Sequence, residues 1–306
     1  MKKLLVLFLT SLLFISCSKD SDKSNDTRVN NRKVGILLVS HGSRSEAWRK
    51  MLNAVEDSVR DEVLSNPSIT QIKSAFMEYT EPSIATRMKE FDKEGFTDVI
   101  IVPLFLTVSG HSFDDIPTIV GLKTSSSAIE ELKAERIEVY KAKANIKITP
   151  LLDFTEILKK NIVNRVKEIS QNPSNESCVL VAYGDHEYNK EWTNLMKNLM
   201  TEVESKIGIN KFAYSWCGHI ANYDPQLTTN AINESLQGKD KAIVVPVLVA
   251  YDEMFQGRII NDAIDRVKQH DQRVIYRPDA ILPDKNIDKW VIDIVNQYVS
   301  DLAKSK

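Results

Sequence analysis

Two histidines, His41 in LLVSHGSRSE and His111 in PLFLTVSGHSFDDIP, each stand where a continuous apolar run ends and a polar segment begins. A neutral imidazole offers a lone pair to a borderline divalent cation and titrates near neutrality. Two of them at the carboxyl ends of parallel strands would therefore converge on one metal ion. A capping signature follows each, Ser43-x-x-Glu46 after His41 and Ser112-x-x-Asp115 after His111. On this reading both rings face the positive end of a helix, which lowers their pKa and keeps a nitrogen free for a metal or a proton. Glu78, at the end of a further strand, is expected as a third ligand, as a partner orienting an imidazole, or as a proton acceptor. Glu81, in Glu81-Pro82-Ser83, is expected to cap the helix that follows.

The elements that must place these groups are legible as apolar runs. Val34–Ser40 runs without polar alternation, as strands buried on both faces do; a second strand is expected over Ile72–Glu78, a third over Asp98–Leu106 and a fourth near Ile146–Leu151. Between them lie helical stripes, one with Trp48, Met51, Leu52, Val55, Val59 and Val63, the other with Ile84, Met88 and Phe91 and a stop at Gly95. The order is βαβαβ, hence a parallel sheet covered by helices. The same order returns from Cys178, where VLVAYGDH matches ILLVSHGSR and KAIVVPVLV matches TDVIIVPLFL, with Pro225 answering Pro82 and Pro246 answering Pro103. The fold class is α/β: two tandem βαβαβ lobes, 33–172 and 173–306, related by internal duplication and facing across a cleft. Residues 121–145 have no counterpart in the second lobe and are expected as a partly helical insertion beside the first-lobe site.

The second lobe does not keep the histidine pair. Tyr183 takes the place of His41, and Arg258 takes that of His111 if a three-residue insertion around Asp252–Met254 is allowed. Neither is a good ligand for a borderline cation, so one metal centre per chain is expected, carried by the first lobe. Arg258, Arg44 and Tyr183 are candidates for contacts to an acidic ligand, Arg258 by forked hydrogen bonds or, equally, as a surface ion-pair residue. His186 and His219 stand at strand ends of the second lobe, either as a second metal or haem contact or as ordinary exposed side chains. His270 is placed on the surface of a helix over Ile259–His270.

The chain has 306 residues and a formal charge of −2, with 42% apolar and 27% charged side chains. That balance gives no sign of a nucleic-acid partner. Met1-Lys2-Lys3 and an apolar run from Leu4 to Ile15 form an export leader too short to span a bilayer. Ser16-Cys17 resembles a bacterial lipobox, so residues 1–17 are expected as a lipoprotein signal ending at a lipidated Cys17, followed by a tether over 18–32 and a cell-envelope location anchored by acyl chains alone. Cys178 and Cys217 are expected at opposite ends of neighbouring strands, out of disulfide reach.

His-Gly-Ser-Arg at 41–44, Glu-Pro-Ser-Ile at 81–84 and Gly-His with Asp-Ile-Pro over 110–117, together with the duplication, resemble the sirohydrochlorin cobaltochelatases of the CbiX and SirB kind, within the class II chelatase superfamily. The resemblance covers the first lobe well, about residues 34–152, and the second only in its strand pattern. It implies insertion of Co2+, Fe2+ or Ni2+ into a sirohydrochlorin-type tetrapyrrole, with His41 and His111 as the metal ligands, Glu78 assisting, and no organic cofactor. An export leader departs from cytoplasmic biosynthesis and keeps a second expectation open, a periplasmic or surface carrier of a metal or haem that turns nothing over.

Overall fold

A computed structural model describes residues 32–152 and 156–304; the leader, Cys17 and residues 18–31 of the tether lie outside the described residues. The first lobe runs β1 (Val34–Ser40), α1 (Glu46–Leu64), β2 (Ile69–Phe76), α2 (Ile84–Lys93), β3 (Asp98–Pro103), α3 (Ile116–Ile119), α4 (Ser126–Ala134), β4 (Asn145–Ile148) and α5 (Glu156–Ile169). The second runs β5 (Glu176–Ala182), α6 (Asn189–Ile207), β6 (Phe212–Trp216), α7 (Pro225–Ser235), β7 (Lys241–Val247), α8 (Ile260–Asp265), α9 (His270–Arg273), β8 (Val274–Tyr276) and α10 (Lys285–Lys304).

Each lobe is a four-stranded, all-parallel sheet, ordered β2-β1-β3-β4 and β6-β5-β7-β8. The two orders are the same sequence of positions, which is the duplication seen in the chain. Alternate residues of each strand enter different cores. Ile36, Leu38, Ile100 and Val102 share one continuous core with Leu180 and Val245 of the second sheet, filled by α1, α5, α6 and α10. Leu37, Val39, Val99 and Ile101 face outward onto α2 and α3, where Met88, Phe91 and Ile116 cover them. Each such fully buried aliphatic side chain contributes roughly 1.5–3 kcal/mol, and the helices between the sheets join the lobes through this one core.

Several expected boundaries shift. β2 begins at Ile69 and ends at Phe76, although the Met77 and Glu78 amides still donate to the Ser40 and His41 carbonyls at 2.9 and 2.8 Å. α1 is capped by Ser45, whose hydroxyl accepts from the Trp48 amide, and not by Ser43. Gly42, at φ +99°, holds the chain in a loop that delays the helix by two residues. The helix expected over 259–270 breaks after Asp265, and His270 opens the short α9. α10, which packs against α1 and α5, and the three-residue β8 were not foreseen.

Candidate metal centre

In each sheet the chain runs from the first strand to one neighbour and then crosses to the other side, so β1 and β3 flank the point where connections diverge. A crevice opens there, outside the strand carboxyl ends. His41 follows β1, Glu78 follows β2 and His111 follows β3, three adjacent strands delivering one side chain each. Gly42 lets the loops meet: a Cβ there would lie 2.1 Å from the Glu78 carbonyl oxygen, so only glycine allows the Glu78 amide to reach His41. Tyr79, next along, is held at φ +64° and turns the chain back toward α2.

The three groups converge. Glu78 Oε1 lies 3.4 Å from His41 Nε2 and 3.9 Å from His111 Nε2, and the rings stand edge to face with centroids 4.7 Å apart. All three ligand atoms fall within 4.8 Å of one another, the one such cluster among the described residues. A tetrahedral ion with bonds of about 2.1 Å has ligand–ligand edges of about 3.4 Å, so the triangle needs little adjustment to close on a cation.

Tautomers follow from the outer contacts. His41 Nδ1 lies 2.9 Å from the Gly42 carbonyl and His111 Nδ1 lies 2.8 Å from Asp115 Oδ2, and neither oxygen can donate. Both Nδ1 atoms therefore carry hydrogen, and both Nε2 lone pairs point inward, as metal-binding histidines are usually held.

The electrostatics differ from the expectation of two depressed histidines. Burial, and then the neighbouring His111, hold the His41 pKa below its ordinary value. Burial acts the same way on His111 but is outweighed by the hydrogen bond and charge of Asp115, assisted by Glu78, so its pKa is raised. Asp115 is therefore the orienting carboxylate for His111 and not the partner of Ser112 in a capping box. Residues 111–115 form a single π-turn whose preceding residue, Gly110, makes no side-chain cap. Its signal in the sequence was the spacing of four from His111, one helical turn. Glu135, at the end of α4 in the 121–145 insertion, was also missed. Burial and the Glu78 charge raise its pKa, and α4 packs against the His111 turn.

A cavity of about 480 Å3, lined by His41 and His111 of the triad, opens between the lobes. Arg44 is exposed on its wall, with its guanidinium 5.4 Å from the Tyr79 ring centre. Tyr183 and His219 line the opposite wall, with the Tyr183 hydroxyl 2.6 Å from His219 Nδ1. Hydrogen bonds cross between the lobes, from Ser43 Oγ to Asp252 Oδ2 at 2.9 Å on the cavity lining and from the Tyr188 hydroxyl to Asp114 Oδ2 at 3.0 Å.

Arg258 is not brought to this cavity. It is exposed on the turn Glu253–Ile259, outside the lining residues. Counting back equally from the first residues of α3 and α8, Ile116 and Ile260, sets Phe255 and not Arg258 opposite His111. The Gly218 amide donates to the Tyr183 carbonyl at 2.8 Å, as Glu78 does to His41, so Gly218 stands opposite Glu78 and His219 opposite Tyr79. The second lobe thus has Tyr, Gly and Phe where the first has His, Glu and His. His186 is exposed and, unlike its neighbour Asp185, does not line the cavity. Glu81 accepts from the Ser83 amide at 2.6 Å, just before the helix that Ser83 itself caps. Cys178 and Cys217 are both buried free thiols.

A family model described as CbiX matches residues 35–169, the first lobe. The sirohydrochlorin cobaltochelatase of Methanococcoides burtonii is 34% identical over 92 residues, which cover 30% of this chain and 67% of that protein. The sirohydrochlorin ferrochelatase of Bacillus subtilis is 24% identical over 247 residues, covering 79% of this chain and 83% of its own length. The sirohydrochlorin chelatase SirB from Bacillus subtilis subspecies spizizenii, solved in complex with cobalt, shares the fold across both lobes, with a TM-score of 0.62 at 18% identity over 89% of this chain and 98% of that one.

Proposed function

From a chain that belongs to the CbiX/SirB-type family of class II chelatases, we propose an enzyme that inserts a divalent metal ion, Co2+, Fe2+ or Ni2+, into a sirohydrochlorin-type tetrapyrrole bound between its lobes. The observation that carries this reading is the meeting of the His41 and His111 Nε2 lone pairs with Glu78 Oε1 at one edge of the cavity. Three ligands leave open positions on the ion through which ring nitrogens replace water or protein. Neutral imidazoles bind these cations without holding them irreversibly, as a substrate metal requires. Arg44 faces the ring carboxylates by charge, and the apolar cleft excludes water from the exchange.

The leader at 1–17 supports an exported, envelope-anchored form of this enzyme, lipidated at Cys17. Among the described residues no helix is long and apolar enough to cross a membrane. Incubation with Co2+ or Fe2+ and sirohydrochlorin, followed by absorbance, tests the activity. Insertion faster than the metal-only control is expected; ring binding without such a rate would leave a carrier in place of an enzyme.

A further inference from the structure

We propose that Tyr183 and His219 form a proton relay on the second-lobe wall, taking pyrrole protons from the ring face opposite the incoming metal; this rests on the chelatase reading above. Metal insertion must expel two protons, and a cation approaching from the His41 and His111 side repels protons leaving by the same face. A flat ring in the cleft presents its other face to Tyr183, whose side chain lines the same cavity.

Tyr183 is held for this task. Its ring meets Phe255 edge to face at 5.3 Å, and a Cβ on Gly218 would come within 2.5 Å of it, so the ring lies directly on the loop after β6. Burial, with lesser contributions from neighbouring charges, raises the Tyr183 pKa, so its hydroxyl stays protonated; it stands 2.6 Å from His219 Nδ1, which accepts from it when the imidazole carries its hydrogen on Nε2. His219 is exposed, which gives the accepted proton a route to solvent. Replacement of Glu78 by its counterpart Gly218 removes the carboxylate that would turn this wall into a second cation site.

The step balances. A pyrrole N–H bond breaks with its electron pair left on nitrogen for the metal, and the proton passes to Tyr183 Oη. The proton that Tyr183 already carried moves to His219 Nδ1, giving an imidazolium that loses a proton to water. Exchange with solvent at His219 resets the pair for the second pyrrole. Tyr183 is the catalytic group and His219 the positioning residue that accepts through it.

The test uses the full chain with Co2+ and sirohydrochlorin. Tyr183→Phe and His219→Ala should each lower kcat about a hundredfold, the lower end of general acid–base effects, and the double variant should lose little more. Co2+ affinity measured with metal alone, and KM for the ring, should stay at wild-type values, and added imidazole should restore part of the His219→Ala rate. Wild-type kcat in Tyr183→Phe, a loss confined to KM, or a folded His219→Ala that imidazole does not rescue would overturn the relay while leaving the chelatase reading intact. A wild-type chain without insertion activity would instead defeat that reading, and the relay with it.

Discussion

The Tyr183 and Phe255 rings stand edge to face in the second lobe, with centroids 5.3 Å apart and planes at 71°, a copy in apolar and phenolic groups of the 4.7 Å, 70° contact between His41 and His111. Duplication preserved a pair of facing rings at the same strand ends and let their chemistry diverge. One pair offers imidazole nitrogens to a cation, and the other offers a phenol hydroxyl and an apolar ring.

Asp115→Asn should weaken Co2+ binding about 10- to 100-fold, the usual cost of removing a carboxylate that orients a ligating histidine. Asn retains an acceptor but not the charge that supports His111. Unaltered affinity in a Co2+ titration would show that the Asp115 contact does not tune the site.

Protons compete with metal for Nε2. Because the His111 pKa is raised above its ordinary value of 6.5 in the folded chain, its protonation begins to weaken binding at a pH above that value as pH falls. His41, with a lowered pKa, joins only at lower pH and steepens the loss. Co2+ titrations across pH should show this onset, and Asp115→Asn should move it downward. A first loss only below the ordinary histidine range would contradict the assigned sign.

Gly42→Ala should destabilise the fold by about 1–3 kcal/mol, since a positive φ is strained for a residue with a Cβ, and should impair metal binding by pushing on the Glu78 backbone. Urea unfolding and Co2+ titration of the same variant check both. Wild-type behaviour in the two assays would mean that the loop yields freely.

Arg44→Ala should raise KM for a carboxylate-rich ring, more strongly at low ionic strength, whereas Arg258→Ala should not. Only Arg44 lies on the cavity wall. Equal effects would return Arg258 to the ring site.

The strands, their parallel order and the residues of the triad were legible because unbroken apolar runs such as Val34–Ser40 carry the sheet signal by themselves, and because polar residues at their ends have few other uses. What escaped was set by turn geometry. The second-lobe turn spans Glu253–Ile259 where the first spans His111–Asp115, and this difference in length misplaces a count made along the strand, so Arg258 was matched in place of Phe255. Ser43 looked like a cap because the sequence does not reveal that Gly42 holds the loop open and sends Ser43 to Asp252. A helix amino terminus lowers both histidines alike, whereas the contact with Asp115, visible only in the folded turn, separates them. β8 has three residues, too few for periodicity to register, and α10 finds its partners in α1 and α5, far back in the chain.

Anomalous diffraction at the cobalt edge from crystals grown with Co2+ tests the shared-cation site most directly. One peak is expected about 2.1 Å from His41 Nε2 and His111 Nε2, with Glu78 completing the protein ligands. A peak elsewhere, or cobalt held by one imidazole while the other points away, would contradict the account.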